Sequence, residues 1–116
     1  MTLKVSPAAL QDLKDIQQYI SQSLNNPIAA KRTVQKIIKT YLQLSDSPFI
    51  GTSLNTKISI VTPYRYLVSG NYLIFYVVKD NTVEINRVIY GKRDYIKILF
   101  PTEYIEFNDS SEDASE

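Results

Sequence analysis

Histidine, cysteine and tryptophan are absent from this chain, and glycine occurs only three times in 116 residues. Without cysteine there is no disulfide and no thiolate metal site, which suits a reducing cytoplasm. Without histidine there is no imidazole acid–base and no zinc site of the ordinary kind. No window approaches the roughly 18 apolar residues of a membrane span. The N-terminal MTLKVSPAAL lacks the basic stretch followed by an apolar run that marks a signal peptide. A cytoplasmic protein with no metal, no cofactor and no membrane association is expected, and most familiar enzyme chemistries are excluded with the missing side chains.

What is present reads as one folded domain. Hydrophobic residues make up 44% of the chain and nine tyrosines are included, too much apolar surface for a disordered sequence. The formal charge of +1 conceals an asymmetry. Glu103–Glu116 hold six acids and no base, so the rest of the chain carries thirteen bases against six acids, a net +7. Residues 1–102 are therefore expected to form a single basic domain, and residues 103–116 an acidic, disordered tail. The basic body favours an acidic or polyanionic partner, and the tail is a candidate internal competitor for it.

Periodicity gives the order β-α-α-β-β-β. TLKVS alternates as a short strand, after which Ser6 and Pro7 form an N-cap and first helical position. Leu10, Leu13, Ile16, Ile20 and Leu24 follow at helical spacing. Asp12 and Asp15 read as solvated charges near the start of that helix. Asn26-Pro27 opens a second helix, with Ala30, Val34, Ile37, Ile38, Tyr41 and Leu42 inward and Lys31, Arg32, Lys36 and Lys39 outward. Ser45–Leu54 reads as a connection. Lys57–Val61 and Tyr64–Val68 read as strand, Tyr72–Val78 as a central strand with Tyr72 and Tyr76 in the core, and Thr82–Tyr90 as the next strand. Strict alternation would put Val83, Ile85, Arg87 and Ile89 on one face of that last strand and Glu84, Asn86, Val88 and Tyr90 on the other. Asp94 caps a helix starting near Tyr95, and Leu99, Phe100, Tyr104, Ile105 and Phe107 offer a final segment. The fold class is α+β, a helical hairpin packed on a mostly antiparallel sheet.

The candidate functional residues are Arg65, Arg87, Lys92, Arg93, Tyr90 and Tyr95, on or beside successive strands and expected to gather into one basic, tyrosine-edged patch. Such a patch suits phosphate contacts and base stacking, or an acidic protein surface. Arg87 is alternatively a partner for Glu84 or Asp94. Metal-free RNA cleavage would need a tyrosine or lysine whose pKa falls several units from about 10.

SPAALQDLKDI, SDSP, YRYLVSGNYLIFYVV and EINRVIYGKRDYIKILF, in this order, resemble the RelE/ParE superfamily of bacterial toxins over roughly residues 2–100. The resemblance implies the toxin of a type II toxin–antitoxin pair, a growth inhibitor neutralised by an antitoxin whose C-terminal segment wraps it. The antitoxin would cover the apolar groove of the hairpin and sheet edge, and would supply the DNA-binding part when the complex represses its promoter. The toxin itself is not expected to bind DNA sequence-specifically. The RelE-like branch cleaves mRNA on the ribosome with a set of basic residues and a late tyrosine. Of these, the arginine after the last strand matches Arg93. The middle-strand arginine falls at Leu73, the two lysines near Tyr64 and Tyr66, and the tyrosine at Leu99. NYLIFYVV and the run through GKRDY are more similar to the ParE-like branch, known from plasmid stabilisation, which poisons DNA gyrase. Gyrase inhibition is the leading expectation. A ribosome-dependent mRNA endonuclease, or a member that binds only its antitoxin, is the alternative.

Overall fold

Two helices cover one face of a five-stranded sheet, and a short helix with a tyrosine cluster covers the other. The computed structural model describes residues 1–57 and 61–101. In chain order it contains β1 (Thr2–Val5), α1 (Pro7–Gln18), α2 (Pro27–Leu42), β2 (Thr52–Ser53), β3 (Arg65–Ser69), β4 (Tyr72–Lys79), β5 (Thr82–Tyr90) and α3 (Tyr95–Leu99). The sheet order is β1-β5-β4-β3-β2, with β1 parallel to β5 and the other pairs antiparallel.

The caps act as their residue types dictate. Ser6 Oγ accepts from the Ala9 amide at 3.0 Å, and Asn26 Oδ1 accepts from the Ala29 amide at 3.0 Å. Proline follows each cap, at a position with no amide to satisfy. Asp94 caps α3 through the Lys97 amide. Asp80 and Asn81 both take positive φ between β4 and β5, as a tight hairpin requires. At the end of α1 the chain widens into a π-helical turn, Tyr19–Ser23, before Asn25 reverses it at positive φ.

The helix-side core joins Ala9, Leu13, Ile16, Ile37 and Tyr41 to Ile74, Tyr76, Val83, Ile85 and Val88. A second cluster on the opposite sheet face joins Leu73, Phe75 and Ile89 to Leu54 and Leu99, with Tyr64, Tyr66 and Tyr95 packed around it.

Several expectations are corrected. Leu10, Leu24 and Leu42 are exposed rather than inward-facing: Leu10 and Leu42 lie at the margins of their helices' apolar stripes, and Leu24 lies past α1, closing the π-helical turn. Tyr72 is half-buried while Tyr76 is fully buried. The 45–54 connection contains β2, which Thr52 and Ser53 form by pairing with Tyr66 and Arg65. Lys57 lies in a turn and Val61 is exposed outside any strand; residues 58–60, between them, fall outside the described set. The alternation of β5 is broken. Tyr76 pairs with Ile85 but Phe75 pairs with Arg87, leaving Asn86 as the extra residue of a bulge. Val88 thereby joins Val83 and Ile85 on the helix side, and Ile89 joins the opposite cluster. Of the expected final segment, Tyr104, Ile105 and Phe107 lie outside the described residues, as does the tail from Glu103.

Candidate functional site

The bulge at Asn86 positions the site. One extra residue reverses the facing of everything after it, so Tyr90 comes to the helix side beside Tyr72. Their rings lie 5.9 Å apart in an edge-on arrangement. The chain then turns at Gly91, whose amide donates to the Asn71 carbonyl at 2.8 Å, tying the end of β5 to the β3–β4 turn. Lys92 and Arg93 follow, both exposed on a segment fixed by that bond and by the Asp94 cap.

Arg93, Tyr90 and Tyr72 form one wall of a groove of about 630 Å³. The other wall is the second half of α1, from Asp12 on, and the π-helical turn after it, presenting Asp12, Asp15, Tyr19 and Leu24. Tyr19 and Leu24 are each more than half exposed, so the rim is apolar and open. Burial, and then the neighbouring Tyr90 and Tyr19 phenols, push the Tyr72 phenol above its usual range. That is the wrong direction for a base taking a proton near neutral pH. A raised pKa contributes stability that is complete below the unfolded value of about 10 and is lost as pH climbs through the folded value. Tyr72→Phe should therefore flatten the alkaline fall in stability. It should also remove a late-ionising phenol from an ultraviolet titration, and a lost phenol that titrates below pH 10 would contradict the assignment.

The other candidates do not converge on Arg93. Arg87 makes a two-pronged ion pair with Asp12, at 2.7 Å from Nε and 2.8 Å from Nη2, and the same carboxylate accepts from the Val88 amide at 2.9 Å. The Asp12 side chain is 11% exposed, so the expected solvated charge is instead a partly buried anchor. Neither Glu84 nor Asp94 partners Arg87. The hydrogen bond to Asp12 is the main cause raising the guanidinium pKa, so its charge is fixed. Arg65 lies across from Tyr76 and Ile85, whereas Tyr90 lies across from Tyr72. Those pairs are separated by about 13 Å along the strands, so one patch uniting Arg65 with Lys92 and Arg93 does not form. Arg65 instead holds the Phe49 and Gly51 carbonyls, at 3.1 and 2.7 Å. Tyr95 packs on Phe75 in the opposite-face cluster, with ring centroids 5.3 Å apart. Sequence reasoning missed Tyr19 and Asp12 as groove residues. Their spacing with Ile16 and Asp15 on one helix stripe was the available signal.

Two of the positions that a nuclease of the RelE-like kind would fill are apolar and covered, whereas Arg93 is exposed and Tyr64 and Tyr66 are half-buried. Leu73 and Leu99 are 9% and 8% exposed and belong to one cluster with Phe75 and Ile89. Among the described residues no group of three or more acids could hold a metal ion, and no helix is long and apolar enough to cross a membrane.

Comparison with known proteins agrees with this architecture. No curated protein matches the chain. Among solved structures it is similar to the "Chromosomal ParDE TA system from P. aeruginosa", at 24% identity and a TM-score of 0.68. The match covers 79% of this chain and 97% of that one. The family described as "ParE toxin of type II toxin-antitoxin system, parDE" matches residues 3–95. With a five-stranded sheet, a helical hairpin and this match over most of its length, the chain belongs to the ParE toxin family of type II toxin–antitoxin systems.

Proposed function

We propose that this toxin acts in the cytoplasm by binding DNA gyrase and blocking replication, and that the Tyr90–Arg93 corner makes the contact. The observation that carries the reading is the contrast between two ends of the same segment. Lys92 and Arg93 project from a turn tied at Gly91 and Asp94, whereas Leu99, a few residues on, is buried. A rigid, exposed Tyr-Lys-Arg corner beside an open apolar groove has the composition of a protein-binding hot spot. Phosphodiester cleavage would need a proton acceptor near Arg93, and the upward-shifted phenol of Tyr72 does not fit that role. The cognate antitoxin is the second partner. The exposed Tyr19, Leu24 and Ile28 around the α1–α2 turn offer it apolar surface for a helix or an added strand.

Arg93→Ala is expected to weaken inhibition of gyrase supercoiling at least about tenfold, the loss of one well-placed hot-spot side chain. Its thermal stability should stay unchanged, because Arg93 is exposed and makes no ion pair among the described residues. In cells, induction should stop DNA synthesis within minutes while transcripts remain intact. Cuts at codon positions in translated mRNA, with replication continuing, would overturn the gyrase reading in favour of a ribosome-dependent endonuclease.

A further inference from the structure

The outer face of α2 carries Lys31, Arg32, Lys36 and Lys39, all exposed, and the helix contains no acid. None of the four forms an ion pair with a described residue. Arg32 and Lys36 are four residues apart, and Lys36 and Lys39 three, spacings at which like charges repel on a helix. A strip about 12 Å long is thus held at uncompensated positive charge, with exposed apolar side chains at its two ends, Ile28 and Leu42.

We infer that this chain's own segment Thr102–Glu116 docks on that strip, rounding the β2–β3 edge to reach it. Where the described chain ends favours this route. The Phe100 ring stacks edge-on against Tyr64, 5.9 Å between centroids, and the Tyr64 carbonyl accepts from the Leu54 amide at 2.9 Å. The last described residues therefore lie at the β2–β3 side of the sheet, on the face opposite the hairpin. On the hairpin face, α2 is the helix that packs over β3 and β4, while α1 packs over β5. Phe49 and Ile50, 60% and 50% exposed, stand in the connection leading to β2, fastened there by Arg65.

The chemistry of the segment follows the same order. Glu103-Tyr104-Ile105-Glu106-Phe107 comes first and alternates acids with apolar residues; Asp109, Glu112, Asp113 and Glu116 come last. At about 3.3 Å per extended residue, Tyr104–Phe107 reach no more than about 20 Å from Pro101, while Glu116 reaches about 50 Å. In the proposed route the apolar part comes first, for the Phe49–Ile50 edge, and the acidic part last, for the α2 cations. A tether this short gives an effective concentration near the millimolar range, so weak contacts suffice. A nucleic-acid backbone would use the four cations but leave Ile28, Leu42, Phe49 and Ile50 uncovered.

The chain's lack of cysteine allows a single nitroxide label through Ser111→Cys in the full-length protein. Amide signals of Lys31–Lys39 should then lose intensity severalfold at low salt. The loss should persist on dilution, disappear in about 0.5 M salt, and disappear in a Lys36→Glu/Lys39→Glu variant whose circular dichroism matches the parent. Absence of broadening, broadening centred on the Tyr90–Arg93 groove, or persistence in the charge-reversed variant would overturn the proposal. Loss on dilution would overturn it in favour of a second copy. An unbroadened α2 face whose amides shift only when a random-sequence DNA duplex is added would overturn it in favour of nucleic acid.

Discussion

Asp12→Ala is expected to cost about 3 kcal/mol of folding stability, the usual cost of removing one partner of a partly buried, hydrogen-bonded ion pair. The size follows from what the carboxylate satisfies. β1 pairs with β5 only from Thr2 to Val5, opposite Thr82 to Ile85. Beyond it the edge of β5 would be open, and Ser6 and Asp12 take over its bonds. The Ser6 amide donates to the Ile85 carbonyl at 2.9 Å and Ser6 Oγ to the Asn86 carbonyl at 2.8 Å. Asp12 then accepts from the Val88 amide and both prongs of Arg87. Alanine leaves a half-buried guanidinium and a backbone amide without their acceptor, beside the buried Val88 side chain. Urea unfolding should show a lower midpoint with an unchanged m-value. Asp12→Asn, which keeps an amide oxygen for Val88 but loses the charge, should cost roughly half as much. A loss below about 1 kcal/mol for Asp12→Ala would place the pair among ordinary surface salt bridges. Arg87→Ala also breaks the pair, so a loss of toxicity in that variant reports on folding first. Arg93→Ala is the cleaner probe of the target contact.

The parts of this protein governed by local chemistry were legible in its residues. Ser6-Pro7, Asn26-Pro27 and Asp94 each cap the helix that follows, because a short polar side chain reaches its own first-turn amides in any tertiary setting. The order of the elements, and with it the family resemblance, likewise followed from residues adjacent in the chain. What escaped depended on register. One bulge at Asn86 decides that Tyr90 joins the groove while Ile89 faces away, and strict alternation predicts the reverse. The Asp12–Arg87 contact joins residues 75 apart in sequence, so neither partner's neighbours announce it. Arg65 is the same case: it reads as a basic patch residue until Phe49 and Gly51 are brought under it.

Gly51→Ala should be as damaging as the loss of Asp12, about 3 kcal/mol or a fall in Tm of about 15 °C. Here the cause is space rather than charge. A Cβ at Gly51 would stand 2.5 Å from Tyr76 Oη and 2.7 Å from the Tyr66 carbonyl oxygen. Neither atom can withdraw cheaply. Tyr76 is fully buried in the helix-side core, and Tyr66 is held in β3 by pairing with Phe75 on one side and Thr52 on the other. The close approach exists because the Gly51 amide donates to Tyr76 Oη at 3.0 Å, a buried bond that anchors the connection to β2. Tyr76→Phe alone should therefore cost about 1–2 kcal/mol, leaving that amide unpaired. In the Tyr76→Phe background, Gly51→Ala should cost less than in the parent, because the Oη clash is gone while those with the ring Cε1 and the Tyr66 carbonyl, each at 2.7 Å, remain. A double-mutant cycle read by thermal unfolding measures that coupling. Strict additivity would mean that the two residues do not share the strain. The same substitution should free the Arg65 guanidinium from the Gly51 carbonyl and loosen Phe49, over which it lies at 5.3 Å. One methyl group is thus expected to unsettle the edge that presents Phe49 and Ile50, while the Tyr90–Arg93 corner at the other end of the strands keeps its geometry.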